Sequence, residues 1–182
     1  MSTATPCIRV FFALWPSAAE RSGMAAWNPT LKSHFGGRAM HADTLHSTLV
    51  FIGNIEPGKL ELLQDAALRV RTEPFTLCFD EARFWAHNQI VYAAPRNPPE
   101  PLGVLVASLE QGLKLTGFNF DQRRYQSHVT LLRNARCDAG SLPPVEPVCW
   151  QISEFVLLQS VHTERRSAYR ILSRIPLQGR VK

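Results

Sequence analysis

The chain lacks the spacings that hold metals. It has no His-Glu-x-x-His, no Cys-x-x-Cys, and no carboxylate at ligand spacing beside either of the histidines singled out below. A metallo-enzyme or a zinc module is therefore not expected. The four cysteines, Cys7, Cys78, Cys137 and Cys149, are too scattered for a small disulfide framework. They are expected to be reduced thiols, and the protein cytoplasmic. No apolar run is long enough to span a bilayer, so no membrane partner is expected. The opening segment CIRVFFALWPSAAE has a short apolar run broken by Arg9, with no basic leader before it. It reads as a first strand rather than a signal peptide. There is no low-complexity segment and no strict internal repeat.

The 182 residues are enough for one domain with a sizeable core, and 45% apolar with 19% charged is ordinary globular composition. A single bilobal domain over 1–182 is expected. The net charge is +5. Its surplus is concentrated: 122–136 holds four arginines and no acid, and 164–182 holds five arginines and a lysine against one acid. Such a surface suits a polyanionic partner, although solubilising charge has the same composition.

One short pattern occurs twice. His46-Ser47-Thr48-Leu49 heads HSTLVFIGN, and His128-Val129-Thr130-Leu131 heads HVTLLRN. Threonine follows a given residue two places on at a frequency of ~5%, and leucine makes up ~10% of ordinary sequence. Six histidines then predict ~0.03 copies of His-x-Thr-Leu, and two by accident is on the order of one in a thousand. Both copies lie in apolar, β-branched runs that read as strands. Residues i and i+2 of a strand share a face, so each copy sets an imidazole beside a hydroxyl. A single such histidine is commonly a surface or satisfied core residue. Two facing copies are equipment for holding an oxyanion and moving two protons around it.

The remaining pattern places strands at 7–15 (with Phe11 and Phe12 inward), 38–41, 46–53, 74–84, 89–94, 127–134, 149–161 and 167–176. Helices are expected at 17–33, ended or kinked by Asn28-Pro29, at 57–71 and at 102–115. Helices and strands mix without regular alternation, which favours α+β with antiparallel sheets.

The paired motifs resemble those of the two-histidine phosphoesterases, in particular the RNA 2′,3′-cyclic phosphodiesterase branch, whose members were also described as 2′-5′ RNA ligases. RVFFALWP, FTLCFDEARFW followed by QIVYAAP, and SAYRIL extend the likeness over nearly the whole chain. The resemblance implies two pseudo-symmetric lobes, each an antiparallel sheet flanked by helices. Between them runs a central cleft with one His-x-Thr motif per lobe. It implies metal-independent opening of a 2′,3′-cyclic phosphate at an RNA end to a 2′-phosphate. It implies His46 as proton donor and His128 as proton acceptor. It also puts an arginine at Arg133, although strict alternation would turn that residue to the opposite face from His128 unless the strand bulges. Two departures stand out: Asn28-Pro29 interrupts a helix expected to be continuous, and Ser47 replaces a frequently apolar residue.

Thr48 and Thr130 can each donate to a phosphoryl oxygen, and no cofactor is needed by this chemistry. Tyr169, Trp85 and Phe11 are candidate platforms for a base, and Arg165, Arg166 and Arg170 candidate contacts to an RNA backbone. The partner expected is RNA with a cyclic phosphate end, or a nucleotide, and the protein is expected to be a monomer. The alternatives are a related activity on cyclic nucleotides or 2′-5′ oligonucleotides, or a nucleotide-binding module without turnover.

Overall fold

A computed structural model describes residues 7–136, 142–163 and 166–179. The strands are β1 (Ile8–Leu14), β2 (Arg38–Ala39), β3 (Ser47–Ile55), β4 (Phe75–Phe79), β5 (Glu81–Trp85), β6 (Ile90–Ala94), β7 (Val129–Arg133), β8 (Val148–Ile152), β9 (Glu154–Thr163) and β10 (Arg166–Pro176). The helices are α1 (Ala18–Ala25), α2 (Asn28–Phe35), α3 (Leu60–Leu68) and α4 (Glu100–Leu115). One four-stranded sheet has the order β10-β9-β1-β3, a second β2-β7-β6-β5, and β4-β8 form a ribbon. Every pairing is antiparallel, so the expected α+β class holds.

Local chemistry accounts for the helix boundaries. Ser17 and Glu20 form a reciprocal capping box that starts α1. Pro29 cannot continue α1, so the chain restarts as α2 with that proline in its first turn. Trp27, at the break, is buried and its indole N–H donates to the Glu146 carbonyl at 3.0 Å. The expected 17–33 helix is thus two helices. Gly37, at φ +76°, leads into β2; a Cβ there would stand 2.7 Å from the Arg133 carbonyl oxygen, so only glycine lets β2 reach β7.

Two expected strands are each two. The 74–84 run breaks at Asp80, whose N–H donates to Ala94 while its carboxylate accepts from the Arg96 N–H. Asp80 thereby hands the chain from the β4-β8 ribbon to the second sheet. The 149–161 run breaks at Ser153, whose carbonyl accepts from Leu177. The reduced-thiol reading is overturned for two cysteines. Cys78 and Cys149 lie opposite each other in the β4-β8 register and form a disulfide. Nothing in a separation of 71 residues announced that pairing. Cys137 lies outside the described residues, and the cytoplasmic reading loses its thiol argument.

One continuous core runs beneath both four-stranded sheets. It takes Phe12 and Leu49 from the first, Val91 and Leu131 from the second, and Leu102, Leu105, Leu109 and Leu113 from α4. The opposite face of the first sheet carries a smaller apolar patch of Phe11, Ala13, Val156 and Leu158. Phe11 and Phe12 therefore face opposite ways, as adjacent strand residues must.

Candidate active site

His46 immediately precedes β3 at the edge of the first sheet, and His128 immediately precedes β7 in the second. Both line one cleft of about 290 Å³, together with Thr48, Thr130, Arg133, Phe11 and Tyr169. Seven of the residues singled out from sequence are thus brought together; Trp85 and Arg170, also singled out there, are not among the lining. Arg9, Met40, Thr44, Phe51 and Ser160 complete the lining.

The two motifs are built alike to the level of single hydrogen bonds. His46 Nδ1 pairs with the carbonyl of Thr44 at 2.8 Å, and His128 Nδ1 with the carbonyl of Gln126 at 2.8 Å. A carbonyl can only accept, so each ring carries its proton on Nδ1 when neutral. That leaves Nε2 of each ring as the nitrogen available to a ligand.

The strands also bulge at equivalent places. In β3, Phe12 faces Val50 and Ala13 faces Thr48, so Leu49 is an extra residue; in β7, Val91 faces Leu132 and Tyr92 faces Thr130, so Leu131 is extra. After each extra leucine the alternation is displaced by one. Leu49 and Val50 both enter the core, as do Leu131 and Leu132. Phe51 and Arg133 consequently turn to the cleft. The bulge is why Arg133, five residues after His128, shares its cleft.

Aromatic rings wall both histidines. His46 has the rings of Phe11 at 5.2 Å, Tyr169 at 4.8 Å and Trp15 at 6.2 Å around it. His128 has Trp85 at 4.8 Å and Tyr92 at 5.9 Å. Trp85 thus supports His128 and stacks on Tyr92 rather than lining the cleft. Burial pushes the His46 pKa from 6.5 down to about 4; its bond to Thr44 opposes this, while the nearby charges of His128 and Arg133 add to it. His128 is also lowered, by burial first and by Arg133, against its bond to Gln126.

Ser47 faces away from the cleft and is fully buried. Its hydroxyl and that of Ser127 face the Tyr125 phenol, whose pKa burial pushes up to about 12. The polar residue behind the first motif therefore answers polar residues beside the second.

Five lining residues escaped sequence reasoning, Thr44 among them, whose carbonyl holds His46 Nδ1. Arg9 precedes Phe11 by two on β1 and shares its face, so Phe11 could have led to it. Phe51 occupies the place in the first motif that Arg133 occupies in the second. Ser160 and Met40 left no local signal. Arg170 does not line the cleft: it follows Tyr169 on β10 and so stands on the other face of the sheet. Arg165 and the side chain of Arg166 lie outside the described residues.

Comparison with known proteins agrees with this geometry. The sequence pattern of the 2′-5′ RNA ligase superfamily matches residues 15–164. The chain is 32% identical over 166 residues to the RNA 2′,3′-cyclic phosphodiesterase of Escherichia coli (strain K12), covering 91% of this chain and 94% of that one. Its fold resembles the crystal structure of E. coli LigT complexed with 3′-AMP, with a TM-score of 0.86 at 32% identity, over 94% of this chain and 99% of that one. A further crystal structure, of a phosphoesterase, gives a TM-score of 0.85 at 33% identity over 95% of this chain and 99% of that one.

Proposed function

Starting from the chain's membership of the 2′-5′ RNA ligase superfamily, we propose that it opens 2′,3′-cyclic phosphodiesters at RNA ends to 2′-phosphomonoesters. The observation that carries the proposal is the pair of imidazoles in one cleft, each pinned through Nδ1 and flanked by a threonine hydroxyl. Opening a cyclic phosphodiester needs a base, an acid and a cradle for the non-bridging oxygens. Nε2 of His128 takes a proton from water as its oxygen bonds to phosphorus. The bond from phosphorus to the 3′ oxygen breaks, and His46 Nε2 gives that oxygen its proton. Thr48, Thr130 and Arg133 hold the charge on the remaining phosphoryl oxygens.

This assignment makes a demand of His46. Burial keeps its ring neutral at pH 7 in the free protein. The ring gains its proton as the anionic substrate enters, because the phosphate's charge offsets the repulsion from Arg133 and favours an imidazolium facing it. All the steps are proton transfers and hydrogen bonds made by the chain's own side chains. Among the described residues, the cleft lining contributes two imidazoles and no carboxylate or thiolate, a set suited to acid/base work. The core shared by both sheets supports reading 1–182 as one bilobal domain.

The test is turnover of an oligonucleotide ending in a 2′,3′-cyclic phosphate, followed by phosphorus NMR with and without exhaustive chelation. A single 2′-phosphate product, formed equally with chelator, is expected. A mixture of 2′- and 3′-phosphates, or activity restored only by an added divalent cation, overturns it.

A further inference from the structure

The cleft holds more cation than one phosphate uses. Arg133 lies on the strand of the second motif, while Arg9 reaches the same cleft from β1. Four arginines elsewhere are neutralised, Arg83 and Arg96 by Glu81, Arg123 by Asp121 and Arg174 by Glu154; Arg9 and Arg133 are the two that line the cleft. Among the described residues Arg9 and Arg133 form no salt bridge, and no carboxylate lines the cleft. Cations left open in a concave site are placed to receive an anion.

The position of Arg9 says which anion. Phe11 is the β1 residue against the His46 ring. Arg9 shares its face two residues away, a step of about 7 Å at the ordinary strand rise. Across the sheet Arg9 pairs with Ser160, and Ser160 with Tyr169, and all three line the cleft. The Arg9 guanidinium lies over the Phe51 ring, 4.9 Å from its centroid. That contact braces the guanidinium by one face and leaves its N–H edge open. Tyr169 feels both cations: burial raises its phenol pKa, and Arg133 and Arg9 pull it back. A group held beside the His46 ring, against Phe11 and Tyr169, therefore lies about one two-residue strand step from Arg9 along the same cleft, about the reach of one nucleoside.

We infer that Arg9, with the hydroxyls of Ser160 and Tyr169 beside it, is a second phosphate subsite that takes the 5′-phosphate of the terminal nucleotide. In an RNA that phosphate is the diester joining the end to the rest of the chain. The inference rests on the histidine pair being the cyclic-phosphate site. It makes the cleft a reader of chain continuity: a bare nucleoside cyclic phosphate fills half of it, and a polymer end fills both halves.

The test compares three substrates: adenosine 2′,3′-cyclic phosphate, its 5′-phosphorylated form, and an adenosine dinucleotide ending in a 2′,3′-cyclic phosphate. The readout is the ratio of kcat/KM for each extended substrate to that for the plain one. One charge-assisted contact corresponds to about tenfold, and the gain should appear in KM and shrink as salt rises. R9Q should collapse both ratios to about one, whatever it does to the plain substrate. R170Q, on the opposite face, should keep them. A wild-type ratio of about one, or a ratio R9Q leaves intact, overturns the subsite. Gain with the 5′-phosphorylated form alone shows a monoester pocket and overturns the reading of the site as a contact to the RNA chain. If the wild type opens none of the three, the proposed activity fails by itself. Calorimetry of adenosine 3′,5′-bisphosphate against 3′-AMP then reads the same Arg9-dependent ratio.

Discussion

His46 ties the cleft to the stability of the whole protein. Walled by three aromatic rings, its imidazole has a pKa near 4 in the folded chain against 6.5 when exposed. Between those values the unfolded chain binds a proton that the folded chain refuses. Folding stability must therefore fall as pH drops from above 6.5 towards 4. The linkage relation puts the contribution of this one ring at about 2 kcal/mol lost by pH 5 and about 3 kcal/mol by pH 4. His46→Gln keeps a polar side chain but removes the titration. Urea unfolding of both proteins at pH 8 and pH 5 isolates the effect, because His128, also lowered, remains in both. The wild type should lose about 2 kcal/mol more than the variant over that interval. Equal losses, within about 0.5 kcal/mol, would refute the argument that burial holds this ring neutral.

The same depressed values govern the rate. Both rings lie below 6.5 in the free protein, so kcat/KM should form a bell whose alkaline limb falls below pH 6.5, while kcat, set by the substrate-bound rings, persists to higher pH. A kcat/KM profile centred above pH 7 contradicts this. His46→Ala and His128→Ala should each lower turnover roughly 10²–10⁴-fold, and the double variant by less than the product of the two. Thr48→Ala and Thr130→Ala should cost less than either histidine, since each removes a hydrogen bond and no proton-transfer step, as steady-state kinetics will show. Reducing Cys78–Cys149 should lower stability by about 4 kcal/mol, the chain-entropy value for a loop of that length, read as a shift in urea midpoint with and without reductant.

What the sequence revealed and what it hid follow from the range of the interactions concerned. A His-x-Thr pair on a strand projects to one side whatever the strand's neighbours are, so His46, Thr48, His128 and Thr130 could be grouped from spacing alone. Arg133 could not be placed by alternation, because the bulge at Leu131 exists only in the pairing of β7 with β6. Phe51 was hidden for the same reason in the pairing of β3 with β1. The handover at Asp80 depends on Ala94 and Arg96, and Cys78 meets Cys149 only once β4 finds β8. Hydrophobic alternation reports which face is buried and carries no record of which strand lies alongside.

The extra leucines make residue number, as well as residue type, a determinant of the cleft. Exchanging Leu49 or Leu131 for another apolar residue alters packing beneath a motif. Deleting either removes the bulge but keeps the next residues in phase: Val50 or Leu132 follows the threonine into the core, and Phe51 or Arg133 still turns to the cleft. One residue inserted after Leu132 would instead turn Arg133 away from the phosphate while leaving His128 and Thr130 in place. One residue inserted after Val50 would withdraw the Phe51 ring that braces Arg9. A single-codon insertion at either site would thus strip the cleft of part of its grip on an anion while sparing both histidines and both threonines, an outcome no one substitution at either leucine can imitate.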